Sequence, residues 1–215
     1  DATSALFDSQ GRTMAQAVSI PIHLGVLAEL GRRVAERFPA GTARPDDLYA
    51  INDPYAGGTH LPDIAVFAPA FSGERLVGYV ATMSHHADVG GSAPGSCSAV
   101  GVYDHHAEGL RIPMLRLGAG GRIDESLIAL ITANSRTPSN MTGDLNAQVS
   151  ACRVGVQRLG EVFAEWGDTK TEGVIEELFD YAYRLTRHEI ESIPDGDYSF
   201  TDCLDDDGSG PAAEP

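Results

Sequence analysis

The period of the hydrophobic pattern changes along this chain, and that change limits the fold more than any other feature. Residues 22–38 carry Leu24, Leu27, Leu30, Val34 and Phe38 with arginines between them, the spacing of an amphipathic helix that stops before Pro39. From residue 48 to 71 the pattern shortens to runs such as Leu48-Tyr49-Ala50-Ile51 and Ile64-Ala65-Val66-Phe67, separated by a glycine-rich turn, which predicts buried strands. Further strands are expected over residues 1–8, 76–83 and 110–117. Beyond Asp144 the helical period returns. Leu145, Val149, Cys152, Val156, Leu159 and Phe163 mark a long helix ending at Gly167, and Val174, Leu178, Tyr181 and Leu185 mark a second over residues 171–192. This order predicts an α+β fold, mixed strands with irregular loops followed by two long helices, without the alternation of a doubly wound sheet or a TIM barrel. The expected division is a strand-rich region at 1–143, a helical region at 144–193 and the start of a following segment at 194–215. The strand entered abruptly at Asp1 and the polar ending are expected to mark a piece of a larger subunit.

Charge narrows the function classes. Against 31 acidic residues the chain sets 15 basic ones, for a formal charge of −16, and Lys170 is its single lysine. Nothing here can neutralise a row of phosphates, so neither nucleic acid nor an anionic membrane is an expected partner. No apolar run approaches the roughly 18 residues of a spanning helix. Lys170 lies in Gly167-Asp168-Thr169-Lys170-Thr171, without the glycine a P-loop requires before its lysine. The same count removes serine hydrolases built on S-x-x-K, and G-x-S-x-G and G-x-G-x-x-G are absent as well. Cys97, Cys152 and Cys203 are far apart and include no C-x-x-C pair, which favours a reduced, cytoplasmic setting. Cys152 reads as a small core residue of the first long helix. Cys97 as a nucleophile is the less favoured reading, because most thiols are inert. Near the end, Asp205, Asp207, Gly208 and Glu214 fall at calcium-loop spacing, but Cys203 would occupy the first ligand position, where a hard carboxylate is needed. An acidic turn is the better reading.

The chemistry concentrates in one window. His60, His85, His86, His105 and His106, five of the seven histidines, fall within 47 residues, together with Asp53, Asp63, Asp88, Asp104 and Glu108. In Asn52-Asp53-Pro54-Tyr55-Ala56-Gly57-Gly58-Thr59-His60-Leu61-Pro62-Asp63, the proline and paired glycines force an irregular path, so the polar residues project from a shaped loop. His60 and Asp63 stand as H-x-x-D, a spacing that lets one turn of backbone aim an imidazole and a carboxylate at one ion at about 2.0–2.2 Å. His85, 22 residues further on at a strand end, completes a two-histidine, one-carboxylate face. Three protein ligands with open positions suit a catalytic metal rather than a structural one. H-x-x-D alone is a weak signal, and a lone histidine is more often a satisfied polar side chain than a ligand. His85 and His86 in one strand point to opposite faces, so at most one joins a given site.

These segments resemble the hydantoinase B/5-oxoprolinase family. The resemblance is carried by the 52–63 string, by His85-His86-Ala87-Asp88-Val89-Gly90-Gly91, by Glu108-Gly109-Leu110-Arg111-Ile112-Pro113, by Asn134-Ser135-Arg136-Thr137-Pro138, by Gly143-Asp144-Leu145 and by Pro194-Asp195-Gly196. It implies that 1–143 is a metal-binding region with His60, Asp63 and His85 as ligands and an N-terminal aspartate, matching Asp1, as a fourth. It implies zinc or manganese as the ion and a hetero-oligomer with an A-type partner that carries the ATP site. The implied reaction is ATP-dependent hydrolysis of a cyclic amide, such as a hydantoin, 5-oxoproline or a lactam, in which metal-activated water attacks a substrate phosphorylated on the partner. His86 and Asp88 are candidates for orienting the site or transferring protons, with fixation of the loop at Gly90-Gly91 as the alternative. Arg136 either binds a substrate anion or pairs with an acid, the latter favoured, and Asp53 is expected to hold its own turn. The runner-up function is a subunit of an acetone/acetophenone-type carboxylase, and a third reading is an inactive or purely structural piece.

Overall fold

The computed structural model describes residues 1–96 and 104–202. Antiparallel strands β1 (Ala2–Asp8) and β2 (Thr13–Gln16) lead into helix α1 (Pro21–Arg37), where Pro21 suits a first turn whose N–H groups lack helical partners. Strand β3 (Leu48–Ile51) precedes the shaped loop, and β4 (Asp63–Ser72) and β5 (Arg75–His85) form a long hairpin. Short strands β6 (Leu115–Ala119) and β7 (Arg122–Ile123) are followed by three helices, α2 (Glu125–Ala133), α3 (Pro138–Trp166) and α4 (Asp168–Glu191). The strands make one antiparallel sheet in the order β2-β1-β5-β4-β3-β6-β7. The fold is α+β, as the order of periods predicts.

Helices cover both faces of the central hairpin, which is why β4 reads as a continuous apolar run instead of an alternating one. Ala65 and Phe67 point to one face and pack with Phe7, Tyr79, Ala81 and Met83 beneath Leu27, Leu30 and Val34 of α1. Ile64, Val66 and Ala68 point to the other and meet Leu145, Val149 and Cys152 of α3. Each large side chain buried this way contributes about 1.5–3 kcal/mol. Cys152 is a core residue, and burial raises its thiol to about 11.

Several elements differ from the sequence expectation. The buried stripe of α1 runs His23, Leu27, Leu30, Val34, while Leu24 stays 47% exposed. The rotation that buries Leu27 and Leu30 also buries the residue four before Leu27 and turns Leu24 outward. The strand expected at 110–117 is confined to β6: at Ile112 the carbonyl accepts from Asn52 N but the N–H goes to the Asn52 side chain, which interrupts regular pairing. Helix α2 was not expected, and α3 starts at Pro138, well before Leu145. On α4, Leu178, Tyr181 and Leu185 are exposed, and only Thr171 is buried. Among the described residues no helix is long and apolar enough to cross a membrane. Cys97, Cys203 and the acidic turn at 205–214 lie outside the described residues.

Candidate metal centre

Strand register builds a row of functional side chains at one end of the sheet. Asp63, the first residue of β4, stands opposite His85, the last of β5. On the other side of β5 the β1 ladder ends with Ala2 opposite Ser84, and the His85 N–H donates to the Asp1 carbonyl at 2.9 Å. Alternation places Asp63 on the same face as Ala65 and Phe67, the face covered by α1. His23, in the first turn of that helix, therefore meets Asp63 from above, its Nε2 3.3 Å from Oδ2.

The loop before β4 supplies the last contributor. Asn52 fastens it at its base, donating from Nδ2 to the carbonyls of Leu61 (2.7 Å) and Leu110 (2.9 Å) while its Oδ1 accepts from Ile112 N. Gly57 turns the chain at a φ of 98°, and a Cβ on Gly58 would lie 2.9 Å from the Asp53 carbonyl, so both glycines are needed for the path. Asp53 accepts from Tyr55 N and holds its own turn, as expected. The Asp63 N–H closes the H-x-x-D turn on the His60 carbonyl at 3.1 Å. That turn brings His60 Nε2 to 3.3 Å from Asp63 Oδ2 and its ring centroid to 5.0 Å from that of His85.

His60, Asp63 and His85 thus each offer a ligand atom within 4.8 Å of one another. Asp63 is buried, and its Oδ1 has no hydrogen-bond partner among the described residues. A buried carboxylate oxygen left unpaired is costly unless it has another use, and two imidazoles with a carboxylate are a donor set for a borderline divalent ion. Burial lowers the His85 pKa against the pull of Asp63, which favours the neutral imidazole a ligand must be. The cluster opens on a cleft of about 390 Å³ lined by Asp1, Ile20, Ile22, His23, Thr59, His60, Asp63 and His85. Asp1 lines this cleft without belonging to the three-residue cluster.

The other two expected residues face elsewhere. His86 is fully buried on the α3 side, 3.0 Å from Gln148 Oε1. Because Gln148 Nε2 donates to the Ile64 carbonyl, its Oε1 accepts, and the His86 proton sits on Nε2. Burial lowers the pKa of His86, outweighing Gln148 and the nearby Asp144. Asp88 accepts from the backbone N–H groups of Gly90, Gly95 and Arg136 and from the Arg136 guanidinium. Burial works against its ionisation, but those donors hold its carboxyl at about 2. Arg136 also donates to the carbonyls of Gly90, Ala93 and Gly91, so it pairs with an acid and ties the loop. Lys170 is remote, since α4 begins beside Ser72, at the opposite end of β4 from Asp63.

His23 and Thr59, whose hydroxyl donates to Asp63 Oδ2, were missed by sequence reasoning. A signal for His23 was present, a histidine in register with the apolar stripe Leu27, Leu30, Val34. Thr59 left none beyond its place next to His60.

This fold and site fall together in one class. The profile described as hydantoinase B/oxoprolinase matches residues 1–213, and the chain belongs to that family. It is 38% identical over 210 residues to the caprolactamase subunit beta of Pseudomonas jessenii, an alignment covering 98% of this chain and 36% of that one. It is 36% identical over 177 residues to the 5-oxoprolinase of Saccharomyces cerevisiae, covering 77% and 14%. The crystal structure of the ATP-dependent caprolactamase from Pseudomonas jessenii superposes with a TM-score of 0.90 at 37% identity, over 99% of this chain and 36% of that chain. The chain thus spans about a third of the length of the caprolactamase subunit.

Proposed function

We propose that this chain is the metal-binding, B-type component of an ATP-dependent cyclic amide hydrolase. One observation carries the reading: His60, Asp63 and His85 each bring a ligand atom within 4.8 Å of one another around a buried carboxylate, in a chain 38% identical to a caprolactamase subunit. His60, Asp63 and His85 would hold a zinc or manganese ion, with Asp1 placed on the same cleft to complete the set. When bound, such an ion supplies Lewis acidity and brings the pKa of water towards about 7.

The chain's own residues set the rest. His60 is 38% exposed on the cleft, so it meets an incoming substrate, whereas Asp63 is shielded beneath it. Ile20 and Ile22 give the cleft an apolar wall suited to the hydrocarbon part of a small ring. His86 acts through the backbone, its N–H donating to the Pro62 carbonyl at 2.8 Å and pinning the H-x-x-D turn to the end of β5. Asp88 and Arg136 hold the following loop, and this supporting role replaces proton transfer in the reading. An unactivated amide is a poor electrophile. Phosphorylation of its oxygen turns that oxygen into part of a leaving group, and with a single lysine outside any P-loop that step is assigned to an A-type ATP-binding partner.

The deciding experiment assays the complex with its A-type partner for ATP consumption with caprolactam, 5-oxoproline or a hydantoin, and in parallel with acetone or acetophenone plus bicarbonate. Ring opening coupled to ATP use supports the reading. Ketone carboxylation would replace it with the carboxylase alternative, and a complex inactive on both sets despite bound metal would leave a structural role.

A further inference from the structure

Asp63 is held by more than its own turn. His23 and Asp63 are both buried, at 2% and 4% exposure, and His23 reaches the carboxylate from a different element, α1. The first turn of that helix fixes its backbone: His23 N donates to the Ile20 carbonyl at 3.1 Å, and the Gln16 side-chain amide donates to the His23 carbonyl at 3.1 Å. A carboxylate oxygen accepts, so the Nε2 of His23 carries the hydrogen in this contact. Thr59 donates its hydroxyl to the same Oδ2. Oδ2 of Asp63 therefore receives His23 and Thr59 and also faces His60 Nε2 at 3.3 Å, while Oδ1 has no hydrogen-bond partner among the described residues. His23 does not join the three groups whose ligand atoms lie within 4.8 Å of one another. Its Nδ1 is buried without a partner among the described residues, so the ring's polar interaction is with Asp63.

We propose that His23 is a positioning residue of the metal centre: with Thr59 it fixes Asp63 through Oδ2 and so sets how the carboxylate faces the ion shared with His60 and His85. This rests on His60, Asp63 and His85 being the ligands. Groups hydrogen-bonded to a ligand orient it and tune its basicity, which is why their loss weakens metal binding without removing a ligand. A histidine that served only to satisfy a buried carboxylate would change the stability of the metal-free protein and leave the coordination environment alone.

The test is Co²⁺ binding to the full chain, read as affinity by competition with a chromophoric chelator and as the d–d absorption band, with circular dichroism confirming the fold. His23→Leu is expected to weaken Co²⁺ binding about tenfold to a hundredfold and to shift the band, and His23→Gln, which returns an N–H near the same point, to restore both. Thr59→Val, on a partly exposed loop, is expected to move both readouts in the same direction by less, and it stands as the test if His23→Leu does not fold. Parent-like affinity and band in folded His23→Leu or, failing that, in Thr59→Val would overturn the proposal, as would a His23→Gln variant no better than His23→Leu. His60→Ala separates the two levels. Loss of Co²⁺ there with parent-like His23 and Thr59 variants would sink this proposal alone, whereas undiminished binding by His60→Ala would sink the ligand assignment beneath it.

Discussion

His85 and His86 are neighbours in the chain and lie in opposite environments. On the α1 face, His85 joins His60 and Asp63 beside a cleft, and polar capacity is left over in Asp63 Oδ1. On the α3 face, Gln148 accepts a hydrogen bond from His86 Nε2 and donates one to the Ile64 carbonyl, and Asp88 beyond it accepts from backbone N–H groups and Arg136. Both regions are rich in titratable groups at the same end of one sheet. The difference lies in convergence: His86 also keeps a buried Nδ1 without a hydrogen-bond partner, but among the described residues it is His60, Asp63 and His85 that bring three ligand groups within reach of one ion.

That contrast is open to breakage by mutation. The largest effect is expected at Asp63→Ala and His85→Ala, which should cut bound metal from about one ion per chain to near none, by elemental analysis, while circular dichroism stays unchanged. A full complement of metal in either folded variant would show that the open face is not the metal site. Asp88→Ala should do the reverse. Removing it leaves Arg136 and three backbone N–H groups without their acceptor, at about 2–3 kcal/mol once the half-exposed arginine is discounted, seen as a lowered Tm with metal content per folded molecule retained.

Acid sharpens the same difference. The Asp88 carboxyl is held at about 2 in the folded protein against an ordinary 3.8. A carboxyl with a depressed folded pKa stabilises the fold above its unfolded value, and that stabilisation drains away as pH falls from about 4 to 2. Asp88→Asn should therefore be less stable than the parent at neutral pH and should lose less further stability across that acid window, as followed by thermal melts. Equal acid slopes for the two proteins would contradict the role given to Asp88. Gln148→Leu carries the smallest expected effect, about 1–3 kcal/mol for leaving the His86 N–H and the Ile64 carbonyl unpaired, with little change in metal affinity.

Much of this was legible in the residue order. Alternation alone separates His85 from His86, and the proline and glycines at 54–58 announce a loop that aims His60 and Asp63. The change of period marks α1, the β4–β5 hairpin and the body of α3. The rest depends on distant partners. At Ile112 the Asn52 side chain takes the N–H while Asn52 N keeps the carbonyl, an irregular pairing that interrupts the expected strand. Helix α2 was missed although Asp124 caps it by accepting from Ser126 N and Leu127 N, a local signal obscured by the unbroken apolar run from Leu127 to Ile131 inside a helix of nine residues. His23 entered the site through the rotation of α1, which is set by Phe7, Phe67 and Tyr79 and not by any neighbour in sequence.

Anomalous scattering from crystals of the chain grown with zinc or manganese tests the metal centre most directly, because it both places and identifies an ion. One peak among His60, Asp63 and His85, on the α1 face of the sheet, is the predicted result. A peak at His86 and Asp144, or a data set at full metal occupancy elsewhere with none at Asp63, would contradict it.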